Sequence, residues 1–371
     1  MILNKGILVK NIGLGILMSG FVATSVAAPA KPVLGFYASW SPPTVQWTKI
    51  THLMFAFIFP GTSGTVTGNA VPSSLVSAAH AAGVKVIASV GGANDFRNFS
   101  GVAANASYRA NFATSLKTYI TTNNIDGVDI DWEYPTGAQD SANFTLLLAA
   151  VRNAIGTSKI LTVDLPPTGE KGQWISKSAL SICDFYNVMA YDFTGAFEGS
   201  LVGQHSSYSQ AILGVLYWKN RGVPKEKVVL GVPFYGKDFN SGGNGVDYNN
   251  IMASNPNLSP DADSVGKTWF NGVTTMTKKA TYVALNGYGG IMIWQLGGDV
   301  SSGPKSLLDA IQNGLKTVSL FNSRNSKQRT TLSTTLGFEG PSWSIYDLNG
   351  RQLSSELSPN RKAYPYAIQL P

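Results

Sequence analysis

Residues 126–135, which read DGVDIDWEYP, constrain this chain more than any other segment. Side chains alternate across a β-strand, so Asp129, Asp131 and Glu133 are predicted to share one face. Three acids on one face repel each other and cost stability if they are buried without a purpose. Such a row of acids therefore indicates catalysis, cation binding or a solvent-exposed face. The opposite face is apolar and consists of Val128, Ile130 and Trp132.

The flanks of this strand help to choose among the three alternatives. Ile125 precedes the acids and Tyr134-Pro135 ends the strand, which indicates a strand buried on one side. A solvated edge strand would not need so large an apolar face. A calcium-binding loop would interleave Asp and Asn with Gly on a flexible turn, and this segment is too apolar and too β-prone for that. A catalytic row is therefore favoured, with Trp132 as a core residue and Asp126, out of step with the other acids, in a structural role.

The rest of the chain alternates apolar strands with amphipathic helices. Near-continuous apolar strands separated by helices indicate a parallel sheet with helices outside it. Eight strands favour a closed (β/α)₈ TIM barrel over residues 31–318, and a doubly wound open sheet is the second choice. The predicted strands are 33–39, 50–59, 84–92, 125–134, 159–166, 183–193, 228–236 and 290–298. The predicted helices are 72–83, 107–123, 140–155, 208–220, 277–286 and 307–315.

The two ends of the chain differ from this pattern. Residues 1–27 carry Lys5 and Lys10 before a short apolar run, which predicts a signal peptide cleaved after Ala27 or nearby, and hence an extracellular or periplasmic protein with no membrane attachment. Residues 319–371 predict a linker and a small C-terminal β extension. Within it, 342–353 predicts a β-hairpin with Asn349-Gly350 as its turn. This extension could pack on the barrel, bind a polymer chain through its aromatic residues, or direct export.

Composition excludes several classes of function. The net charge is +7, but the basic residues are scattered, so nucleic-acid binding is not expected. The single cysteine, Cys183, cannot form an intrachain disulfide and lies in an apolar run, which predicts a buried, inert thiol. The three histidines are dispersed without the spacing of metal ligands, so no metal and no cofactor are expected. The chain is expected to be a monomer.

The motif Asp-x-x-Asp-x-Asp-x-Glu resembles the signature of the family 18 glycoside hydrolases, the chitinase family. Two further segments resemble motifs of that family, 89-SVGG-92 on the third strand and 189-MAYD-192 on the sixth, and Trp294 matches its sugar-site tryptophan. The resemblance extends over roughly residues 33–300. It implies a TIM barrel with the active site at the carboxyl ends of the strands.

The resemblance also implies a role for each catalytic residue. Glu133 is expected to protonate the leaving oxygen and then to activate water. Asp131 is expected to bind the acetamido N–H of the substrate and stabilise a cationic intermediate. Asp129 lies one step deeper and is expected to share a proton with Asp131. Tyr191 is expected to orient the acetamido oxygen, which acts as the nucleophile in this family.

Further residues at the strand ends are expected to bind the sugar. Phe57 and Met189 have barrel packing as an alternative role. Asp164, on the fifth strand where small residues are common in relatives, has no assigned role. The segment 240–289 is too short for the large α+β domain that some relatives insert between strands seven and eight, which predicts an open groove and endo cleavage. The expected substrate-binding residues are Tyr37, Phe57, Gly92, Met189, Asp192, Tyr235 and Trp294.

The resemblance therefore implies a secreted, cofactor-free, retaining endo-chitinase that acts on chitin or N-acetylglucosamine oligosaccharides. Two alternatives stay open from the sequence. One is an endo-β-N-acetylglucosaminidase that acts on glycoprotein glycans, which would share the acids and differ in its loops. The other is a chitin-binding lectin on the same barrel, because a fold alone does not establish an activity.

Overall fold

The computed structural model describes residues 31–93 and 96–325, together with two short strands near the C-terminus. The strands of the main body are β1 (Val33–Ala38), β2 (His52–Pro60), β3 (Val66–Gly68), β4 (Lys85–Gly91), β5 (Gly127–Asp131), β6 (Ile160–Leu165), β7 (Phe185–Val188), β8 (Val228–Pro233), β9 (Tyr235–Asp238), β10 (Asn244–Asp247), β11 (Ser264–Val265), β12 (Thr268–Trp269) and β13 (Gly290–Trp294).

Eight of these strands form a closed parallel barrel. Their order is β1-β13-β8-β7-β6-β5-β4-β2, and β1 also pairs in parallel with β2, which closes the ring. This closure confirms the predicted (β/α)₈ barrel and excludes the open doubly wound sheet. The short strand β3 pairs antiparallel with β2 at the rim of the barrel.

Helices lie between the barrel strands, and two of them have clear capping signals. The Asn105 side chain accepts hydrogen bonds from two backbone N–H groups at the start of the helix Ala106–Thr122, and Ser207 and Gln210 form a capping box at the start of the helix Tyr208–Asn220. The helices Phe96–Ala104, Gly169–Gly172 and Tyr248–Ser254 were not predicted from the sequence. The helices are α1 (Ser73–Ala81), α2 (Phe96–Ala104), α3 (Ala106–Thr122), α4 (Gly137–Ile155), α5 (Gly169–Gly172), α6 (Tyr208–Asn220), α7 (Tyr248–Ser254), α8 (Val273–Asn286) and α9 (Leu307–Asn325).

The core has two layers, as strand alternation requires. The outer layer fills the space between the strands and the helices and includes the apolar face of β5, with Val128 and Ile130. Trp132 belongs to this layer and stacks on Phe99, with ring centroids 5.5 Å apart, which confirms its prediction as a core residue. The inner layer lies in the barrel lumen and includes Leu34, Phe36, Met54, Ala56, Ile87, Met189, Val229 and Met292.

The segment between β8 and β13 holds a small antiparallel sheet. Its strand order is β10-β9-β12-β11, each strand is only two to four residues long, and α7 packs beside it. The prediction that no large α+β domain is inserted here is therefore confirmed, but the small sheet itself was not foreseen. Because β9 begins two residues after β8 ends, this sheet starts at the carboxyl end of the barrel, where it can reach the active site.

Several sequence predictions concern the chain ends. The strands β14 (Ile345–Tyr346) and β15 (Gln352–Ser354) pair antiparallel, as the predicted hairpin requires, whereas its Asn349-Gly350 turn lies outside the described residues. The predicted signal peptide, residues 1–27, and most of the predicted linker also lie outside the described residues. Helix α9 continues to Asn325, past the predicted barrel end at residue 318. Cys183 is buried, as predicted. Among the helices of the described segments, none combines the length and apolar character that crossing a membrane requires.

Candidate active site

A cavity of about 810 Å³ lies at the carboxyl ends of the barrel strands. It is lined mainly by residues that end the strands or begin the loops after them, which is where a TIM barrel places its active site. The structure brings together most of the residues predicted from the sequence. Those that line the cavity are Phe57, Gly92, Asp131, Glu133, Met189, Tyr191, Asp192, Tyr235 and Trp294.

Tyr37 is not among them, and its prediction as a sugar contact is corrected. It stacks on Phe55, with ring centroids 6.1 Å apart, and packs against the outer core layer. Its neighbour Phe36 points into the lumen and lines the cavity instead. The physical reason is strand alternation, because adjacent residues of β1 face opposite sides of the barrel wall.

The acids of β5 occupy successive levels of the barrel. Asp129 is fully buried, and both of its carboxylate oxygens accept hydrogen bonds, one from Ser89 Oγ at 2.7 Å and one from Thr162 Oγ1 at 2.5 Å. Asp131 lies one level higher, 4% exposed, and lines the cavity floor. Burial, together with the charges of Glu133 and Asp129, raises the pKa of Asp131 well above its usual range. The acids are therefore not equivalent, and the deepest one has the best-stabilised charge.

Glu133 has the environment of a general acid. Burial raises its pKa to about 7, the hydrogen bond with Tyr134 opposes that rise, and the nearby charge of Asp192 adds to it. A carboxyl group with this pKa is protonated in a large fraction of molecules at neutral pH, yet it can also ionise. Both states are required of a group that first gives and then takes a proton.

Asp192 anchors a cluster of polar side chains on the other side of the cavity. Its Oδ1 accepts a hydrogen bond from the Tyr235 hydroxyl at 2.6 Å and lies 2.9 Å from Lys237 Nζ. Burial alone would raise its pKa, but the His205 ring, the Lys237 ammonium and the Tyr235 hydroxyl lower it to about 2. Asp192 is thus an anion across the working pH range. Its φ of +60° lies in the left-handed region, which Asp tolerates better than most residues.

Aromatic rings form a continuous wall beside the acids. The Trp294 and Phe57 rings stack with centroids 5.6 Å apart, and Trp40 packs against both, 5.9 Å from Phe57 and 6.2 Å from Trp294. Phe36 meets Trp294 edge-on at 5.2 Å. Trp40 is 63% exposed, an unusual position for a tryptophan unless a ligand covers it. Aromatic faces of this kind suit the apolar faces of sugar rings.

Two glycines at the end of β4 are required by close approach. Gly91 and Gly92 have φ values of +111° and +93°, which side-chain-bearing residues rarely adopt. A Cβ on Gly91 would collide with the carbonyl oxygen of Asp131, and a Cβ on Gly92 would come within 2.9 Å of the Phe57 ring. Gly91 therefore lets β4 lie against the acid row, and Gly92 leaves room for the Phe57 ring.

The comparisons with known proteins agree with this site. The sequence matches the family described as "Glycosyl hydrolases family 18" over residues 32–299. The chain belongs to family 18 of the glycosyl hydrolases. With the acid row of that family present at the cavity, it is a glycoside hydrolase.

Individual relatives are moderately similar. Endochitinase 1 of Metarhizium robertsii is 31% identical over 297 residues, which is 66% of this chain and 69% of that protein. A chitinase-like effector of Moniliophthora perniciosa is 28% identical over 274 residues, 63% of this chain and 62% of that protein. The crystal structure of a family 18 chitinase from the chitin utilization locus of Flavobacterium johnsoniae superposes with a TM-score of 0.69 at 30% identity, covering 78% of this chain and 95% of that one.

Some residues of this family 18 site were not identified from the sequence. Trp40 follows the end of β1 and could have been found, because an aromatic residue just past a barrel strand faces the cavity rim. Lys237 could not, because it comes from the unforeseen strand β9. Asp126, by contrast, has the predicted structural role. At the far end of β5 its carboxylate bonds His80 Nε2 at 2.8 Å and Lys85 Nζ at 3.1 Å.

Proposed function

We propose that this family 18 hydrolase is a secreted chitinase that cuts β-1,4 bonds between N-acetylglucosamine units by a retaining, substrate-assisted mechanism. One observation carries the proposal: Asp131, Glu133 and Tyr191 line the same cavity, next to the exposed aromatic wall of Trp294. Glu133 is the proton donor, Asp131 the anion and Tyr191 the hydroxyl donor, and Trp294 is a platform for a sugar ring.

Glu133 supplies the proton in the first step. Its raised pKa of about 7 keeps it protonated near neutral pH, so it can transfer its proton to the glycosidic oxygen as the bond to the anomeric carbon breaks. The resulting carboxylate then removes a proton from the attacking water in the second step. Glu133 thus ends the cycle protonated, as it began.

The nucleophile comes from the substrate. An ordinary retaining glycosidase needs a second carboxylate that can reach the anomeric carbon, about 5 Å from the acid. Asp131 is a poor candidate because it is 4% exposed and its pKa is raised well above its usual range. The acetamido oxygen of the sugar attacks the anomeric carbon instead and forms an oxazolinium ion. Water then opens this ion from the opposite side, which restores the β configuration.

Asp131 and Tyr191 control the acetamido group in this scheme. The Asp131 carboxylate accepts the N–H of the acetamido group and stabilises the positive charge that develops on it. The Tyr191 hydroxyl, whose partner in the free protein is the weak acceptor Met292 Sδ at 3.9 Å, donates to the acetamido oxygen and orients it. Trp294 packs under the sugar ring. Asp192 and Tyr235 present polar groups to the sugar hydroxyls.

Two features support endo cleavage and secretion. The small sheet of β9 to β12 is too short to wall off the cavity on that side, which suits binding in the middle of a chain. A soluble chitin derivative should therefore lose viscosity faster than it gains reducing ends. The basic and apolar segment 1–27 supports export, and N-terminal sequencing of exported protein should find a start near residue 28.

The decisive experiment follows the anomers released from N-acetylglucosamine oligomers by the wild type and by Glu133→Gln. The wild type should release β-anomers, and the variant should bind the same oligomers without cutting them. If the wild type binds chitin oligomers but never cuts them, the protein is a lectin and the proposal fails. If it cuts only glycoprotein glycans, it is an endo-β-N-acetylglucosaminidase.

A further inference from the structure

One further carboxyl group, Asp164, enters the active site from β6, and the mechanism above gives it no role. It is 3% exposed and lines the same cavity as Asp131 and Glu133. The register of the barrel pairs Ile130 of β5 with Val163 of β6, so Asp131 and Asp164 are the next positions on the two strands. Asp164 also pairs with Asn187 of β7. The cavity floor therefore has acids on two adjacent strands.

Several polar atoms around Asp164 are buried without a partner. Within the described residues, Asp164 Oδ1, Asp131 Oδ1 and both side-chain polar atoms of Asn187 make no hydrogen bond. An unpaired polar group in the interior costs roughly 1–3 kcal/mol. Asn187 is fully buried, so it is not simply turned toward solvent. A hydrophobic residue would be cheaper at position 164, which argues that the acid is kept for its chemistry.

The hydrogen-bond donors around these acids are unevenly distributed. Asp129 receives two hydroxyl hydrogens, from Ser89 and Thr162, one on each oxygen. Among the described residues no hydroxyl donates to Asp164, and the neighbouring Asn187 amide only partly opposes the rise of its pKa. Two or more carboxylates in one buried lumen cannot all be ionised at neutral pH. The negative charge is therefore most stable on Asp129, which has hydroxyl donors, and the proton is most stable on an acid that has none.

We propose that Asp164 is a positioning residue that holds a proton in the resting enzyme and donates it in a hydrogen bond to the Asp129 carboxylate. Asp131 is then free to be ionised when the acetamido group binds. The effect on catalysis rests on the proposed function, whereas the location of the proton on Asp164 does not. Asp164 acts through Asp129 and Asp131 and does not react itself.

The electrostatics agree with this arrangement. Burial raises the pKa of Asp164 well above its usual range, and the charges of Asp129 and Asp131 raise it further. Asp129 also has a raised pKa because of burial, but the hydroxyls of Thr162 and Ser89 offset part of that rise, and so does the contact with Asp164. The groups that face Asp164 are these two acids, Asn187, and the phenols Tyr191 and Tyr134.

Two substitutions test whether Asp164 acts as a neutral hydrogen-bond donor or as an anion. Asp164→Asn keeps a neutral hydrogen-bond donor of the same shape, so kcat should stay within about threefold of the wild type. Asp164→Leu removes the donor, so kcat should fall by about tenfold or more, with KM little changed. The Leu variant should nevertheless be about as stable as the wild type, because the lost hydrogen bond to Asp129 is offset by removal of the unpaired Asp164 Oδ1, and Asp129 keeps its bonds from Ser89 and Thr162. A residue with a merely structural role would lose stability and activity together.

Asp126→Asn serves as the control, since Asp126 pairs with His80 and Lys85 at the opposite end of β5. It should lower stability and leave kcat unchanged, the opposite of Asp164→Leu. Equal losses of kcat in Asp164→Asn and Asp164→Leu would mean that the charge matters, and would overturn the proposal. So would wild-type kcat in Asp164→Leu.

Infrared spectroscopy tests the proton directly and needs no turnover. The difference spectrum between wild type and Asp164→Asn at neutral pH should contain a carboxylic-acid C=O band from protonated Asp164. If only carboxylate bands appear, Asp164 is ionised and the proposal is wrong. This measurement decides the inference even if the wild type proves inactive on chitin oligomers, so the two failures can be told apart.

Discussion

Replacing Glu133 with Gln should stabilise the protein at alkaline pH, although it removes the catalytic acid. The reason is the pKa of Glu133, which burial raises from 4.5 to about 7. Between these values the unfolded chain has an ionised Glu133 while the folded protein keeps it protonated, so the unfolded state binds fewer protons. Stability therefore falls as pH rises from 4.5 to 7, and the loss is complete above pH 7. Gln stays neutral and escapes this loss.

The magnitude follows from the size of the pKa change. A tenfold change in proton affinity corresponds to about 1.4 kcal/mol, so the displacement from 4.5 to about 7 corresponds to about 3 kcal/mol. The two proteins should have similar free energies of unfolding near pH 4.5, where Glu133 is protonated in the folded state and Gln imitates it well. By pH 8 the Gln variant should be more stable by about 3 kcal/mol.

Denaturant unfolding of both proteins at pH 5 and pH 8 measures this difference. Glu226→Gln, which removes one exposed carboxylate, is the matched control and should show only a small change at either pH. A difference between wild type and Glu133→Gln that is the same at both pH values would refute the reasoning. In parallel, kcat/KM of the wild type should decline above about pH 7 as Glu133 loses its proton.

Three further substitutions test two residues of the site and one buried lysine outside it. Tyr191→Phe should lower kcat about 100-fold with a smaller change in KM, as steady-state kinetics on N-acetylglucosamine oligomers would detect, because it removes one oriented donor to the acetamido oxygen. Trp40→Ala should raise KM for long oligomers more than for short ones and leave the melting temperature nearly unchanged, because Trp40 is 63% exposed. Lys279→Met should lower the free energy of unfolding by about 1–3 kcal/mol in a denaturant titration, because it leaves Ser206 and Asn271 oxygens without the buried ammonium that they bind, whereas Met at the exposed neighbour Lys278 should have little effect.

Strand periodicity explains why the acid row could be predicted from the sequence. Period two places Asp129, Asp131 and Glu133 toward the lumen and Trp132 toward the helices, and the structure confirms both directions for the buried residues. The same rule shows why Tyr37 was wrong. The prediction depended on which residues of β1 face the lumen. In an apolar run such as VLGFYA, the sequence does not show which of two adjacent aromatic residues faces inward.

Contacts between distant segments could not be predicted in this way. Lys237 approaches Asp192 from β9, which follows the carboxyl end of β8, and strands of two to four residues leave almost no periodic signal. Trp40 is positioned by a loop. No role could be assigned to Asp164 from the sequence, because its neighbours come from other strands. Sequence patterns fix which face a residue occupies on its own strand, whereas the partners across strands depend on the register of the whole barrel.

That register also explains how one strand tolerates three acids on its buried side. The barrel places Ser89 of β4 and Thr162 of β6 directly beside Asp129 on β5, so the deepest carboxylate receives a hydroxyl from each neighbouring strand. One charge is thereby stabilised where water cannot reach it. Burial, with the charges of Glu133 and Asp129, raises the pKa of Asp131 above it, and burial with the charge of Asp192 raises the pKa of Glu133. The raised pKa that lets Glu133 act as an acid therefore depends on its buried position in the folded barrel. The same glutamate in an unfolded chain would not have it.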